Sequence, residues 1–147
     1  MKTRLAIFAS GSGTNALNII RYFKDHRFID VCLVCSNKKD SPVIEKSKKL
    51  FVSTFVFSKN ELMNGSVISF LKKKHISWII LAGFNCKIPQ NILSFFANKI
   101  LNIHPSLLPK YGGKGMYGLA VHEAVIKNND LFSGISIHFV NKEYDKG

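Results

Sequence analysis

Short apolar runs alternate along the chain with stretches whose apolar positions recur every three or four residues. RLAIFA (4–9) is rich in β-formers and bounded by SGSG, which predicts a buried strand. Leu17, Ile20 and Phe23 follow at the spacing of one helix face. FIDVCLVCS (28–36) and FVSTFVF (51–57) predict the second and third strands. Between them a helix opens at Pro42, because proline's fixed φ suits the first helical turn. Residues 60–74 predict one helix ending in lysines, which complement the negative end of the helix dipole. SWIILAGF (77–84) predicts a fourth strand, a short helix starts near Pro89, and KILNIH (99–104) predicts a fifth strand. A glycine-rich loop runs over 105–118, a helix follows at 119–127, and SGISIHFVN (133–141) is the last strand.

This β-α alternation predicts an α/β fold, a mainly parallel Rossmann-like sheet with helices on both faces. Ligands of such sheets bind at the carboxyl ends of strands, and every loop with chemical interest here lies at such an end. The 147 residues suit one domain, and a hydrophobic content of 46% is enough for a core, which excludes a disordered chain.

Composition changes this picture little. The net charge of +12, from 21 Lys and Arg against 9 Asp and Glu, suits anionic partners in general. The lysines are scattered over predicted helix surfaces, however, and are not interleaved with aromatics as a single-strand binder requires. No nucleic-acid partner is therefore expected. No membrane partner is expected either, since no apolar stretch approaches the ~18 residues of a bilayer span. The first residues, MKTRLAIFASGSGTN, resemble a secretion signal only until the short apolar run enters a glycine loop. A cytoplasmic location is expected. Three cysteines, Cys32, Cys35 and Cys86, give no disulfide framework. Cys32 and Cys35 form a C-x-x-C inside a predicted strand, whereas redox pairs sit at helix starts, so both read as buried strand residues.

Two motifs carry chemistry. FASGSGTNALNII places Gly11-x-Gly13-x-x-Ala16 between a strand and a helix. Glycines let the backbone approach an anion, free N–H groups at the helix start bind it, and Thr14 and Asn15 add side-chain donors. A dinucleotide site would also want an acid ending the second strand, where this chain has Ser36 and Asn37, with Asp40 further on. A phosphate monoester is favoured instead. A bare strand-to-helix turn is the competing account. The second motif is LNIHPSLLPKY (101–111). Residues two apart in a strand share a face, so Asn102 and His104 converge while Ile103 points to the core. Pro105 cannot donate to the ladder and ends the strand. An amide donor and an imidazole can polarise a carbonyl and stabilise an oxyanion, and the ring can also move a proton. His122 and His138 are remote in sequence and suit packing. Glu143 and Asp145 both offer a carboxylate for the ring, and spacing does not choose between them.

With these residues identified, the chain resembles the phosphoribosylglycinamide formyltransferase family, folate-dependent enzymes of purine synthesis. The resemblance spans essentially the whole chain. It rests on SGSGTN (10–15), LAGF (81–84), NIHPSLLPKYGG (102–113) and SIHFVNKEYDKG (136–147). The third is specific to folate formyltransferases and their hydrolytic relatives, and the first points to the glycinamide enzyme over methionyl-tRNA formyltransferase. The resemblance implies a formyltransferase-type fold whose last strand is antiparallel. It implies Asn102, His104 and Asp145 as the catalytic trio, and Gly13, Thr14 and Asn15 around the substrate phosphate. Asn85, Cys86, Lys87 and Ile88, together with Asn102, would meet the folate. Relatives often carry an arginine near Cys86, for which Lys87 would substitute. The implied reaction passes a formyl group from 10-formyltetrahydrofolate to the amine of glycinamide ribonucleotide, without metal or covalent enzyme intermediate. Hydrolysis of the formyl-folate and a non-catalytic basic nucleotide-binding remnant are the alternatives. The family continues past the aspartate, so residues 1–147 are expected to form one catalytic domain lacking its C-terminal elements.

Overall fold

The computed structural model describes all 147 residues. Six strands form one sheet in the order β3-β2-β1-β4-β5-β6. They are β1 (Thr3–Phe8), β2 (Ile29–Ser36), β3 (Ser53–Val56), β4 (Trp78–Leu81), β5 (Ile100–His104) and β6 (Ser136–Phe139). The first five run parallel, and β6 lies antiparallel against β5. The chain first winds outward from β1 to β3, then crosses back to lay β4 on the other side of β1. That reversal opens a crevice at the carboxyl ends of β1 and β4, where ligands of doubly wound sheets bind.

Six helices cover the sheet: α1 (Thr14–Tyr22), α2 (Pro42–Lys49), α3 (Lys59–Asn64), α4 (Ser66–Lys73), α5 (Gln90–Phe95) and α6 (Leu119–Lys127). Alternation along β1 divides the core. Leu5, Ile7 and Ala9 pack with Ala16, Leu17 and Ile20 of α1 and with Val43 and Ile44 of α2. Ala6 and Phe8 pack on the opposite face with Leu62, Val67, Leu71 and Ile92 of α3, α4 and α5 and with Phe96 just past α5. No helix is long and apolar enough to cross a membrane.

Two features differ from expectation. The predicted helix over 60–74 is two helices, broken at Gly65, whose φ of 95° lies in the left-handed region that glycine tolerates. A capping box at Ser58 and Glu61 starts the first of them. The register of β2 against β1 also slips: Leu5 faces Val31 but Ala6 faces Leu33, leaving Cys32 as the extra residue of a bulge. The bulge puts Cys32 on the same side as Cys35, against the α3–α5 face. Both thiols are free, and burial is the main cause pushing each of them above the ordinary cysteine range. They are packing residues, as a C-x-x-C within a strand suggested.

Candidate active site

A cleft of about 490 Å³ opens at the carboxyl edge. Its walls come from the turn after β1, the segment after β4, the end of β5, the 113–118 loop with α6, and the chain after β6.

The turn after β1 is shaped by glycine. Gly13 sits at φ 75°, and a Cβ there would drive into Val43 Cγ2 of α2. The turn is tied down from α2: the Ser41 hydroxyl donates to Gly11 O (2.9 Å), and Lys46 Nζ donates to Ser12 O (3.1 Å). Of the expected anion-binding trio, only Asn15 lines the cleft, joined by Ser12. Gly13 is buried in the turn, and the exposed Thr14 pairs its hydroxyl with that of Ser12 at 3.3 Å.

Asn85, Cys86, Lys87 and Ile88 all line the opposite wall. Their segment is anchored from beneath. The Asn85 backbone N–H donates to Ser10 Oγ (3.0 Å), while Asn37 Nδ2 reaches Asn85 Oδ1 (3.0 Å) and Cys86 Sγ (3.1 Å). Asn37 directly follows β2, where a dinucleotide site would place an acid, and here it is used to hold the neighbouring loop. Burial raises the Cys86 thiol, with Lys59 and Lys38 opposing that shift, so the sulfur stays protonated near neutrality. Lys87 Nζ lies 5.3 Å above the centre of the Tyr144 ring, a cation–π contact at the rim.

Asp145 is the hub of the third wall. Its Oδ1 lies 3.5 Å from His104 Nδ1, from His138 Nε2 and from Asn102 Nδ2. Its Oδ2 accepts the Gly113 backbone N–H at 2.8 Å. Asp145 adopts φ 53°, unusual for a residue with a side chain, and the Gly113 bond holds the carboxylate inward. Asn102, His104 and Asp145 therefore meet, while Glu143 lies at the rim with its carboxylate paired to Lys146. The roles are not equal, however. Asn102 and Asp145 line the cleft, whereas His104 is 3% exposed and stands behind Asp145. Its Nε2 is 2.8 Å from Tyr111 O.

His138 belongs to this cluster, against the expectation of a packing role. The β5–β6 register sets it opposite Asn102, and its Nε2 is 3.1 Å from Asn102 Nδ2. Its Nδ1 lies 2.9 Å from Phe139 O, a carbonyl that can only accept, so Nδ1 carries the proton and Nε2 accepts from the amide. His138 thus orients Asn102 so that its amide nitrogen faces the carboxylate. The same-face pair Ser136 and His138 mirrors Asn102 and His104, a signal present in the chain but uninterpretable without the strand register. Ser136 Oγ donates to Ser106 O (2.7 Å) and receives Leu108 N–H (3.0 Å), pinning the loop after β5 to β6. His122 of α6 lines the cleft as well.

A doubly wound α/β sheet with an amide, an acid and two imidazoles gathered beside a cleft at its switch point defines a domain of the Rossmann-like type. Comparisons with known proteins narrow this further. Residues 3–147 match the sequence profile of the family described as Formyl transferase. The chain is 39% identical to the chloroplastic phosphoribosylglycinamide formyltransferase of Arabidopsis thaliana, over 99% of this chain and 52% of the relative. It is 34% identical to the phosphoribosylglycinamide formyltransferase of Haemophilus influenzae, over 98% of this chain and 68% of the relative. The crystal structure of the Anaplasma phagocytophilum phosphoribosylglycinamide formyltransferase superposes with a TM-score of 0.89 at 26% identity, covering 100% of this chain and 68% of that one. That from Bacillus halodurans gives 0.85 at 34% identity, covering 98% and 75%. The chain belongs to the formyl transferase family. It spans about half the length of the curated plant relatives it matches.

Proposed function

We propose that residues 1–147 act as one catalytic domain that transfers a formyl group from 10-formyltetrahydrofolate to the amine of glycinamide ribonucleotide, a step of purine synthesis. The observation that carries this reading is the convergence of Asn102, His104 and Asp145 beside one cleft whose wall also includes Ser12 and Asn15 of the glycine turn. The names of the relatives agree with it. The nucleotide's phosphate would lie toward Ser12 and Asn15, and the folate against residues 85–88. Both substrates are small molecules, and the three free cysteines suit the reducing cytoplasm.

In the transfer, the amine lone pair attacks the formyl carbon, a C–N bond forms, and the carbonyl electrons move onto oxygen. Asn102 donates an amide hydrogen to that oxyanion in place of its long 3.5 Å contact with Asp145, while its other hydrogen stays on His138. Asp145 takes the amine's proton, directly or through one water. The oxyanion then collapses, breaking the C–N bond to the folate nitrogen, which takes up the proton that Asp145 received. His104 acts from behind Asp145, balancing the carboxylate's charge. The expectation that its ring contacts the oxyanion would require it to give up Tyr111 O.

The test is formyl transfer measured for this chain and for the whole reading frame that contains it. His104→Ala is expected to lower turnover by roughly two orders of magnitude, as loss of an acid/base or electrostatic group does. Formate release without an amine acceptor would replace the reading with hydrolysis. Absence of both activities, together with steeply salt-dependent binding to nucleic acid, would replace it with a non-catalytic module.

A further inference from the structure

Three backbone and side-chain contacts run in series away from His104. Its Nε2 meets Tyr111 O (2.8 Å); the Tyr111 hydroxyl donates to Asp130 Oδ2 (2.8 Å); and Asp130 also receives Lys110 Nζ at 3.1 and 3.2 Å. Asp130 lies between α6 and β6, outside the cleft, and none of Tyr111, Lys110 or Asp130 lines it. The 105–113 loop hydrogen-bonds to the pair through main-chain groups, Tyr111 O on His104 and Gly113 N on Asp145. Main-chain groups are only as well placed as the loop, and at residue 111 the anchor is the tyrosine hydroxyl. Tyr111 adopts φ 55°, so its carbonyl is turned inward by a conformation that needs outside support.

We propose that Asp130, through Tyr111, is a positioning residue for His104: it fixes the carbonyl that keeps Nε2 as an N–H and turns Nδ1 toward Asp145. A carbonyl only accepts, so Nε2 must be N–H. Nδ1 then faces the Asp145 carboxylate at 3.5 Å with no amide donor beside it, unlike His138 Nε2, whose lone pair is taken by the Asn102 amide, and so makes a favourable contact only as a second N–H. The Tyr111 carbonyl thus selects an imidazolium–carboxylate pair over a neutral ring that would set a lone pair against the acid. The depressed acidity range of Asp130 and the raised one of Tyr111, each caused first by their mutual hydrogen bond, agree with a formed contact.

The kinetic part of the test rests on the formyl-transfer reading; the spectroscopic part does not. Ring ¹⁵N signals of His104 are recorded in the wild type, Tyr111→Phe, Asp130→Ala, Asp130→Asn and Lys110→Ala, with activity measured in parallel. Tyr111→Phe and Asp130→Ala are expected to lose the single Nε2–H, Nδ1–H state in favour of exchanging forms. They should also lower kcat roughly 3- to 10-fold with KM little changed, the scale of one lost hydrogen bond. Asp130→Asn keeps an acceptor for the hydroxyl and should restore the wild-type ring signals, and Lys110→Ala should leave them unchanged. Unaltered His104 signals in Tyr111→Phe would overturn the proposal, as would changed signals in Lys110→Ala alone. Altered signals without any transfer activity would leave it standing and remove the formyl-transfer reading instead.

Discussion

At the residue scale, the site is a set of hydrogen-bonding constraints around one carboxylate. Asn102 has its amide nitrogen directed by the Asp145 carboxylate and by His138 Nε2, which accepts because Nδ1 carries the proton. His138→Ala removes one of those acceptors, and the amide can then rotate its oxygen toward the oxyanion position. A drop of roughly tenfold in kcat is expected, with far-UV and thermal stability close to wild type; a change confined to KM would argue for a substrate contact instead. The Tyr111–Asp130 bond also makes a pH prediction. Asp130 titrates lower in the fold, so its contribution to stability is present above the ordinary aspartate pKa of about 4 and disappears as pH falls through the depressed value. Tyr111 titrates higher, so its contribution is present below about 10 and disappears as pH rises through the raised value. The Tm difference between wild type and Tyr111→Phe should therefore be flat across neutral pH and shrink at both extremes.

At the scale of elements, strand ends and helix starts place the chemistry. β5 stops at His104 because Pro105 cannot continue the ladder, and β6 returns antiparallel to supply His138 and, beyond it, Asp145. The turn from β1 into α1 depends on Gly13 for two independent reasons, its positive φ and the side chain of Val43 that a Cβ would strike. Gly13→Ala is expected to destabilise the fold by about 1–3 kcal/mol, the range for overpacking a filled position, and, under the proposed function, to raise KM for the nucleotide substrate. Denaturant unfolding combined with substrate titration separates the two effects. An alanine tolerated at wild-type stability would show that α2 does not pack on the turn as described.

At the scale of the molecule, the two halves of the core meet on β1. Phe8 is fully buried on the α3–α5 face, its ring 5.3 Å from that of Phe84 and 5.7 Å from that of Phe57. Phe84 lines the cleft, so the packing under β1 continues into the wall formed by residues 85–88. Phe8→Ala is expected to cost about 3–5 kcal/mol, typical of a large aromatic removed from a core, with little change in the urea m-value. A loss below about 1 kcal/mol would mean that this face can collapse around the cavity.

Much of this architecture was legible in the chain because it depends on local physics. Five parallel strands and their helices followed from apolar periodicity, the strand end at His104 from a proline, and the turn at Gly13 from its glycines. The Asn102–His104 pair followed from the two-residue repeat of a strand. What sequence did not determine was whatever depends on register or on distant chain segments. His138 reached the site only through the pairing of β6 with β5, and the bulge at Cys32 reversed the faces of β2. Gly65 split a helix that periodicity made continuous. His104 was expected at the cleft surface, yet the loop carbonyl of Tyr111 covers it, held by a carboxylate 19 residues away. Local preferences act over one or two turns of chain, whereas the direction of a buried imidazole is decided by whichever acceptors the folded chain brings to its two nitrogens.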